Sequence, residues 1–344
     1  HIIDDQYVDS VNIDELVDKA IPEILSELDP HSVYISAKDV QLATDDLKGS
    51  FSGVGIEFTI RQDTLRIQNV IKDGPADKAG LLAGDKVVSI DGKSFVGKDV
   101  TNEEAMHRLK GPKDSKVKIG VKRYGEKGVK MFTVTRGDIA VKSVSAAYML
   151  NDTTGYIRIK SFGERTYAEM LAALQTLNIR GADHLVIDLR DNGGGILESA
   201  VQMANEFLPK NRLIVYTQGR KSPRVNYRSD GKGSYQHLPM DVLINEGSAS
   251  AAEIFAGAMQ DNDRATIVGR RSFGKGLVQQ QIQFNDGSLI RLTIARYYTP
   301  SGRCIQKPFK PGDNADYEND ILTRYQHGEF FSQDSIKHEG PAYH

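Results

Sequence analysis

The sequence predicts a multi-domain α/β protein with an N-terminal helical segment, a β-rich middle domain containing two helices, and an α/β core. Three patterns carry this prediction. Apolar residues recur at helical spacing near the N-terminus, short strands separated by glycine turns follow, and buried strands alternate with helices in the second half. At 344 residues the chain is long enough for two or three domains. The expected boundaries are 1–45, 46–137, 138–310 and a C-terminal extension at 311–344.

The composition and net charge of the chain argue against several classes of function. A hydrophobic content of 39% and a charged content of 26% are typical of a soluble globular protein, and a net charge of −2 gives no reason to expect a nucleic-acid partner. No apolar run approaches the ~18 residues of a membrane helix, and no signal peptide or membrane anchor is visible. The single cysteine, Cys304, cannot form an intrachain disulfide. Since H-E-x-x-H and C-x-x-C spacings are lacking, no metal and no cofactor is expected.

The N-terminal segment is predicted to be helical to about residue 45. Pro22 interrupts its apolar pattern, which predicts either a kink or two shorter helices. Asp29 to Ser32 is predicted to form a turn. His31 in that turn is interpreted as a turn or packing residue rather than a catalytic base.

The middle domain carries alternating patterns and glycine turns. Four strands and two helices are predicted: Leu65–Val70, Lys86–Ile90, Val117–Lys122 and Val129–Val134, with helices at Pro75–Leu81 and Glu103–Leu109. Gly53 and Gly55 precede this set. Glycine allows a backbone to approach a ligand closely, although the same residues could form a simple turn.

Three consecutive glycines, Gly193 to Gly195, lie between a predicted buried strand and a predicted helix at Leu197–Phe207. Backbone N–H groups at a helix N-terminus form an anion-binding arrangement. A phosphate loop of the Walker type is excluded because no G-K-[ST] follows the glycines. Asp188 and Arg190 beside the loop are expected to form structural hydrogen bonds rather than to act in catalysis. The neighbouring core elements are predicted at Tyr156–Ile159, Tyr167–Leu177 and Leu185–Leu189.

A second strand-to-helix junction holds Ser250, and Lys275 follows 25 residues later. A lysine can activate a hydroxyl only when it is neutral, and burial among apolar and glycine-rich neighbours lowers a lysine pKa. The free N–H of Ala251 and the helix dipole would face a developing oxyanion. The alternative is that Ser250 and Ser248 are ordinary helix N-cap residues.

Beyond Lys275, Asp286-Gly287 predicts a β-hairpin that continues into a strand at Leu289–Ala295. Residues 209–240 are predicted to contain a strand at Leu213–Thr217 and then a polar, basic connection, whose charges are interpreted as a solvated face or a mobile loop near the cleft. From about residue 308 the tail has few apolar clusters, and the sequence leaves open whether it packs on the core.

The segments SASAAEI, GRRSFGKGLVQ and DLRDNGGG resemble the carboxyl-terminal processing peptidases, the tail-specific Ser–Lys proteases of family S41. The resemblance covers roughly residues 13 to 307. It implies a crotonase/ClpP-like α/β protease core and a serine endopeptidase in a cell-envelope location such as the periplasm. The roles it implies are a nucleophile, a general base, an orienting amide and two oxyanion donors: Ser250, Lys275, Gln279, and Gly195 with Ala251, with Gly194 as the alternative glycine.

The segments FSGVGIEF and GPADKAGLLAGDKVVSIDG resemble an inserted PDZ domain. Such a domain adds an extended peptide to a sheet edge and holds its terminal carboxylate in backbone N–H groups. The expected peptide-binding residues are Gly53, Val54, Gly55, Ile56 and Phe58. The apolar pair Ile56 and Phe58 implies protein or peptide substrates with exposed apolar C-termini.

Two other functions are compatible with these patterns. One is a catalytically silent PDZ scaffold that binds protein C-termini. The other is a crotonase-type acyl-CoA enzyme, whose fold and paired backbone donors such a core would share. An intact Ser250, Lys275 and Gln279 favours the protease over both. The sequence leaves the oligomeric state open.

Overall fold

The computed structural model describes residues 2–37, 39–40, 43, 50–98, 100–140, 142–312, 314–332 and 335. Contacts divide the chain into two compact units, residues 1–40 with 142–344, and residues 41–141. The second unit is therefore an insertion in the sequence of the first, and the N-terminal residues belong to the same unit as the core. In the described part of the chain, no helix combines the length and apolar character needed to cross a membrane.

The N-terminal residues form two helices and a strand: α1 (Ile2–Gln6), α2 (Ile13–Ser26) and β1 (Val33–Ile35). Pro22 lies inside the continuous α2, so of the two alternatives predicted for it the division into two helices is wrong. The prediction of helix to residue 45 is also wrong, because Val33–Ile35 is extended; residues 44 and 45 lie outside the described part. Asp29 ends the helical region by accepting bonds from the N–H groups of His31 and Ser32, at 2.9 and 3.0 Å. Pairing with a distant strand then decides the conformation of β1.

In its described residues, the inserted unit has a six-stranded antiparallel sheet, a two-stranded sheet and two helices. Its elements are β2 (Ser50–Gly53), β3 (Ile56–Arg61), β4 (Thr64–Val70), α3 (Pro75–Ala79), β5 (Lys86–Ile90), β6 (Lys93–Ser94), α4 (Asn102–Leu109), β7 (Lys116–Lys122), β8 (Lys130–Thr135) and β9 (Gly137–Ala140). The main sheet has the order β3-β4-β5-β7-β8, with β3 at one edge. Every strand and helix predicted in this region is confirmed within two residues. The helices and the sheet enclose a separate apolar core that includes Leu65, Val87 and Ile119.

The first unit contains a mostly parallel sheet of five strands. In spatial order these are β10 (Val144–Met149), β11 (Thr154–Ile159), β12 (His184–Asp188), β15 (Met240–Ile244) and β16 (Thr266–Gly269). Only β10 runs antiparallel to its neighbour. The helices of this layer are α5 (Thr166–Ile179), α6 (Leu197–Phe207) and α7 (Ala251–Asp261). The apolar runs predicted as buried strands are confirmed, since Leu185, Ile187 and Val242 are fully buried.

A second sheet in the same unit has the order β1-β18-β13-β14, and β17 also pairs with β18. Its strands are β13 (Leu213–Gln218), β14 (Val225–Arg228), β17 (Leu277–Gln283) and β18 (Leu289–Tyr298). The predicted hairpin is confirmed, because β17 and β18 are antiparallel and Gly287 has a φ of +90° in their connection. Two short helices follow, α8 (Asn314–Glu318) and α9 (Asp320–Gln326).

Candidate functional site

Ser250 lies in the turn between β15 and α7, beyond the carboxyl end of a parallel strand. In open α/β sheets this edge is where ligands bind. Its φ of +55° and ψ of −115° are unusual for a residue with a side chain and cost of the order of 1–3 kcal/mol. The turn is held by Ser248, which is fully buried: its Oγ donates to the carbonyl of Leu189 at 2.7 Å and accepts from the N–H of Asn245 at 3.0 Å. The hydroxyl of Ser248 is therefore occupied by structural hydrogen bonds, whereas Ser250 is partly exposed.

Lys275 lies in the segment that connects β16 to β17. This segment, residues 271–276, forms neither helix nor strand. The N–H of Phe273 donates to the carbonyl of Ser248 at 2.9 Å, which fastens the segment to the Ser250 turn. Two residues that are 25 positions apart in sequence are therefore brought to one place in the fold.

Glu253 joins the two segments, and sequence analysis did not find it. Its Oε2 accepts hydrogen bonds from the main-chain N–H groups of both Ser250 and Lys275, each at 2.8 Å. Its Oε1 accepts from Ser272 Oγ at 2.6 Å and from the N–H of Gly274 at 2.7 Å. Burial raises the pKa of Glu253, and these four donors act against that rise. The available signal was the Ser-x-x-Glu spacing at the start of a helix, which is a capping box.

The surroundings of Lys275 lower the pKa of its amine. Burial is the largest cause that lowers its pKa from the usual 10.5, and the positive charge of Arg291 lowers it further. The carboxylates of Asp29 and Glu253 oppose this shift without cancelling it. The expectation from sequence was burial by local apolar and glycine neighbours. The structure adds charged groups from β18 and from the N-terminal turn, which the local sequence could not reveal.

The glycine loop after β12 contacts the Ser250 turn directly. A Cβ added to Gly194 would lie 2.6 Å from the carbonyl oxygen of Ala249 and 2.7 Å from Ser250 Cβ. A Cβ added to Gly195 would lie 2.1 Å from the carbonyl oxygen of Phe162. Both positions also have a left-handed φ, +95° and +142°. Glycine is therefore required here by space and by conformation.

The N–H groups of the two glycines differ. Gly194 is buried and donates to Oδ1 of Asn192 at 2.9 Å. Gly195 is exposed, and among the described residues its N–H has no hydrogen-bond acceptor. Ala251 is the first residue of α7, so its N–H has no partner within the helix. Of the two glycines, only Gly195 thus keeps a donor for a ligand.

Gln279 and His31 form a neighbouring pair. A bulge between Val278 and Gln279 reorients the side chain, and Gln279 Nε2 donates to the carbonyl of His31. The imidazole of His31 is bonded through Nε2 to the hydroxyl of Tyr317 at 2.7 Å. Burial, followed by the charge of Lys275, lowers the pKa of His31 to about 4. The ring of His31 packs against Tyr317, in keeping with the packing role expected from the sequence. The side-chain amide of Gln279 binds the carbonyl of His31, whose ring is close enough to Lys275 for the charge of the lysine to affect its pKa.

Asp188 and Arg190 make the structural hydrogen bonds expected of them. Arg190 donates to both carboxylate oxygens of Asp188, at 2.9 and 2.7 Å, and the hydroxyl of Tyr156 donates at 2.6 Å. Burial raises the pKa of Asp188, but the bonds from Arg190 and Tyr156 outweigh it and leave that pKa lowered. This pair stabilises the start of the glycine loop.

In the inserted unit, the predicted peptide-binding residues lie on one loop and the edge strand β3. Gly55 has a φ of +78°, and an added Cβ would lie 2.8 Å from Ile139 Cδ1. Val54 is buried and its carbonyl accepts from the N–H of Ala76 at 2.8 Å. Ile56 and Phe58 in β3 pack against the apolar core of the unit. Gly53 ends β2.

Comparisons with known proteins match both parts of the chain. Residues 153–317 match the model of Peptidase family S41, and residues 52–135 match that of the PDZ domain. The chain is 41% identical over 307 residues to the carboxy-terminal-processing protease of Bartonella bacilliformis, which covers 88% of this chain and 69% of that protein. It is 37% identical over 296 residues to the carboxyl-terminal-processing protease of Synechocystis sp., covering 84% and 68%.

A solved structure agrees with this match. The photosystem II D1 C-terminal processing protease has a TM-score of 0.51 and 30% sequence identity, over 88% of this chain and 82% of that one. The curated relatives share sequence along most of the present chain, including both the inserted unit and the α/β core. The chain therefore belongs to the carboxy-terminal processing proteases of peptidase family S41, and it carries a PDZ domain.

Proposed function

We propose that the chain is a serine endopeptidase in which Ser250 is the nucleophile and Lys275 the general base. One observation carries the proposal: a single oxygen of Glu253 accepts hydrogen bonds from the main-chain N–H groups of both residues, each at 2.8 Å. Because this carboxylate is buried and has four donors, it holds the two residues as neighbours. A nucleophile beside an oriented base is the arrangement that covalent catalysis needs.

The reaction begins when neutral Lys275 removes the proton from Ser250 Oγ, which attacks the scissile carbonyl carbon. The oxyanion of the tetrahedral intermediate accepts from the N–H groups of Gly195 and Ala251, each worth about 3 kcal/mol to the transition state. Protonated Lys275 then donates its proton to the leaving amine, and the acyl-enzyme forms. Water attacks the ester in the second half, with Lys275 again as base, and the free Ser250 hydroxyl is regenerated.

A lysine that acts as a general base must lose its proton easily, and the surroundings of Lys275 lower its pKa. Burial and Arg291 lower the pKa of Lys275, so a larger share of its amine is neutral near neutral pH than in water. Gln279 contributes by fixing the carbonyl of His31 at the edge of the same pocket. We propose that this is how Gln279 orients the lysine.

Substitution of the two residues tests the proposal. Ser250→Ala and Lys275→Ala should abolish cleavage of an unfolded protein with an apolar C-terminus while the circular dichroism spectrum stays unchanged. Lys275→Arg should also be inactive, because a guanidinium keeps its proton in the working range. Ser145→Ala, at an exposed serine of β10, is the matched control and should cleave normally. Full activity of either alanine variant at Ser250 or Lys275 would refute the dyad.

The PDZ domain is proposed to bind the C-terminus of the substrate. The edge strand β3 is available for strand addition, and the loop from Gly53 to Gly55 precedes it with a glycine in left-handed conformation. A peptide with a free apolar C-terminus should bind the full chain more tightly than its C-terminal amide, measured by fluorescence anisotropy. Equal affinities would remove this role. Binding by the wild-type chain without any cleavage would instead favour the silent scaffold.

A cell-envelope location, such as the periplasm, is proposed on the family membership. Fractionation of cells that express the protein, with cytoplasmic and envelope marker enzymes, tests this location. Recovery with the cytoplasmic marker would contradict it.

A further inference from the structure

The C-terminal segment, residues 314–332, packs against the segment that carries Lys275. Arg324, with only 4% of its side chain exposed, donates from Nη2 to the carbonyl of Arg271 at 2.7 Å and from Nη1 to that of Ser272 at 3.3 Å. Its Nε donates to Oε1 of Glu329 at 2.9 Å. Glu329 also accepts two hydrogen bonds from the guanidinium of Arg271, at 3.0 and 2.8 Å. Arg324 and Glu329 therefore hold both the main chain and the side chain of Arg271.

Tyr317 and Lys307 make a second set of contacts with the same segment. The ring of Phe273 lies edge to face with that of Tyr317, with centroids 5.8 Å apart. Lys307 donates from Nζ to the carbonyl of Tyr317 at 3.0 Å, and its main-chain N–H donates to the carbonyl of Gly274 at 2.9 Å. Two residues that precede Arg324 in the sequence thus reach the same short stretch of chain.

These contacts matter because residues 271–276 lack a helix or strand ladder of their own. The conformation of such a segment depends on the side chains that satisfy its backbone groups. Glu253 binds its N–H groups at Gly274 and Lys275, while Arg324 binds its carbonyls at Arg271 and Ser272. Donors and acceptors of the segment are therefore held by two different side chains.

We propose that Arg324 is a positioning residue for Lys275: by binding the carbonyls of Arg271 and Ser272, it holds the 271–276 segment so that the lysine amine stays near Ser250 and out of water. This inference rests on the proposed Ser–Lys mechanism. Arg324 does not touch the substrate or the reacting atoms. Its effect on the reaction passes through the conformation of the segment and through the hydration of Lys275.

The groups around Lys275 determine in which direction its pKa should change when Arg324 is replaced. The charge of Arg291 on β18 lowers the pKa of Lys275, while the charges of Asp29 in the N-terminal turn and of Glu253 on α7 raise it. The charge of Lys275 in turn lowers the pKa of His31. The charged residues that interact with Arg324 itself are Arg271, Glu329, Asp320, Lys307 and Glu246. Because burial is the largest cause of the lowered pKa of Lys275, a loosened segment that admits water should let that pKa rise. The neutral fraction of the base would then fall at neutral pH and recover at higher pH.

The test compares Arg324→Met with Arg264→Met. Arg264 is a matched control because it also clamps main-chain carbonyls, those of Phe207, Tyr235 and Leu238, but away from the 271–276 segment. At equal folded fraction, Arg324→Met should lower kcat about tenfold at pH 7 for a one-unit rise of the governing pKa, with KM changed less than about twofold. The midpoint of its pH–rate profile should move upward. Arg324→Lys, which keeps a donor, should lie between this variant and the wild type, and Arg264→Met should keep the wild-type profile.

A second measurement does not need protease activity. In the Ser250→Ala background, the rate of acetylation of Lys275 by acetic anhydride, followed by mass spectrometry as a function of pH, reports the titration of its amine. Arg324→Met should shift that titration upward, and Arg264→Met should not. If both arginine variants give the same titration and the same pH–rate profile, Arg324 does not position Lys275. If the titration shifts but the wild-type chain cleaves nothing, the positioning stands and the proposed protease mechanism fails.

Discussion

The Ser250 turn and the Lys275 segment meet at one carboxylate, yet they are built in different ways. The turn is made of consecutive residues: a strand ends, Ser248 and Asn245 close the bend, and α7 begins at Ala251. The Lys275 segment takes its conformation and its electrostatics from side chains far away in sequence, including Asp29, Glu253 and Arg324. The nucleophile is thus placed mainly by bonds within its own turn, to which the bond from Ser248 to Leu189 adds a distant contact, and the base is placed mainly by residues far away in sequence. Substitutions in the Ser250 turn and substitutions around the Lys275 segment should therefore have different effects on activity and stability.

The largest effect is expected at Glu253, where the two regions join. Glu253→Ala leaves four donors without their acceptor, those of Ser250, Ser272, Gly274 and Lys275. An unsatisfied buried donor costs about 1–3 kcal/mol, and because these four donors are only partly buried each should cost an amount near the lower end. The free energy of unfolding should therefore fall by about 4 kcal/mol, and cleavage should cease. Chemical denaturation and a peptide-cleavage assay measure the two. Glu198→Ala, an exposed acid in the first turn of α6, serves as control. Retained activity with normal stability would mean that Glu253 does not join the two regions.

The second largest effect is expected at Gly194, which contacts the Ser250 turn. Gly194→Ala should lower kcat about a hundredfold, the typical loss when an oxyanion site is displaced, because the new Cβ would lie 2.6 Å from the carbonyl oxygen of Ala249 beside Ser250. Gly193→Ala is a matched control in the same loop, since an added Cβ there has no heavy atom within 4 Å. Steady-state kinetics on both variants decide the point. Equal rates would show that the glycine loop does not constrain the nucleophile.

A smaller effect tests the pocket around Lys275 by pH. The pKa of His31 is lowered from 6.5 to about 4 in the folded chain, so between these values the unfolded state binds more protons than the folded state. The stability contributed by this group is therefore present above pH 6.5 and is lost as the pH falls towards 4. His31→Gln should flatten the fall of Tm over that window. His237→Gln, at an exposed position, should leave it unchanged; an equally steep fall in His31→Gln would contradict the assignment.

The smallest effect is expected at Gln279. Gln279→Leu removes the hydrogen bond to the carbonyl of His31, and a bond of this kind contributes about 1 kcal/mol. We expect kcat to fall about fivefold, with little change in Tm. Gln281→Leu, at an exposed position of the same strand, is the matched control. An equal fall in both variants would mean that Gln279 has no orienting role.

Local patterns predicted the elements well and failed where pairing is non-local. The strands of the PDZ domain alternate apolar and polar residues, and the structure has them within two residues of the prediction. Val33–Ile35 was expected to be helical, but it pairs with Arg291, Ile290 and Leu289 of β18, more than 250 positions away. Pro22 was expected either to kink the helix or to divide it into two, and it lies inside one continuous helix. The expected boundaries 1–45, 46–137, 138–310 and 311–344 remain predictions.

The sequence by itself determined the class of fold, the strand-to-helix junction at Ser250 and the glycine loop opposite it, because each depends on neighbours a few residues apart. It also carried the family resemblance that the comparisons bear out. Only the tertiary structure decided that Glu253 joins Ser250 to Lys275, that Gly195 rather than Gly194 keeps an available N–H, and that Arg324 holds the Lys275 segment. The bonds of Glu253 to Lys275 and of Arg324 to its carbonyls join segments that are distant in sequence, and no local spacing encodes which distant donor meets which acceptor. The bond that occupies the Gly194 N–H is local, but it depends on the folded conformation of the glycine loop.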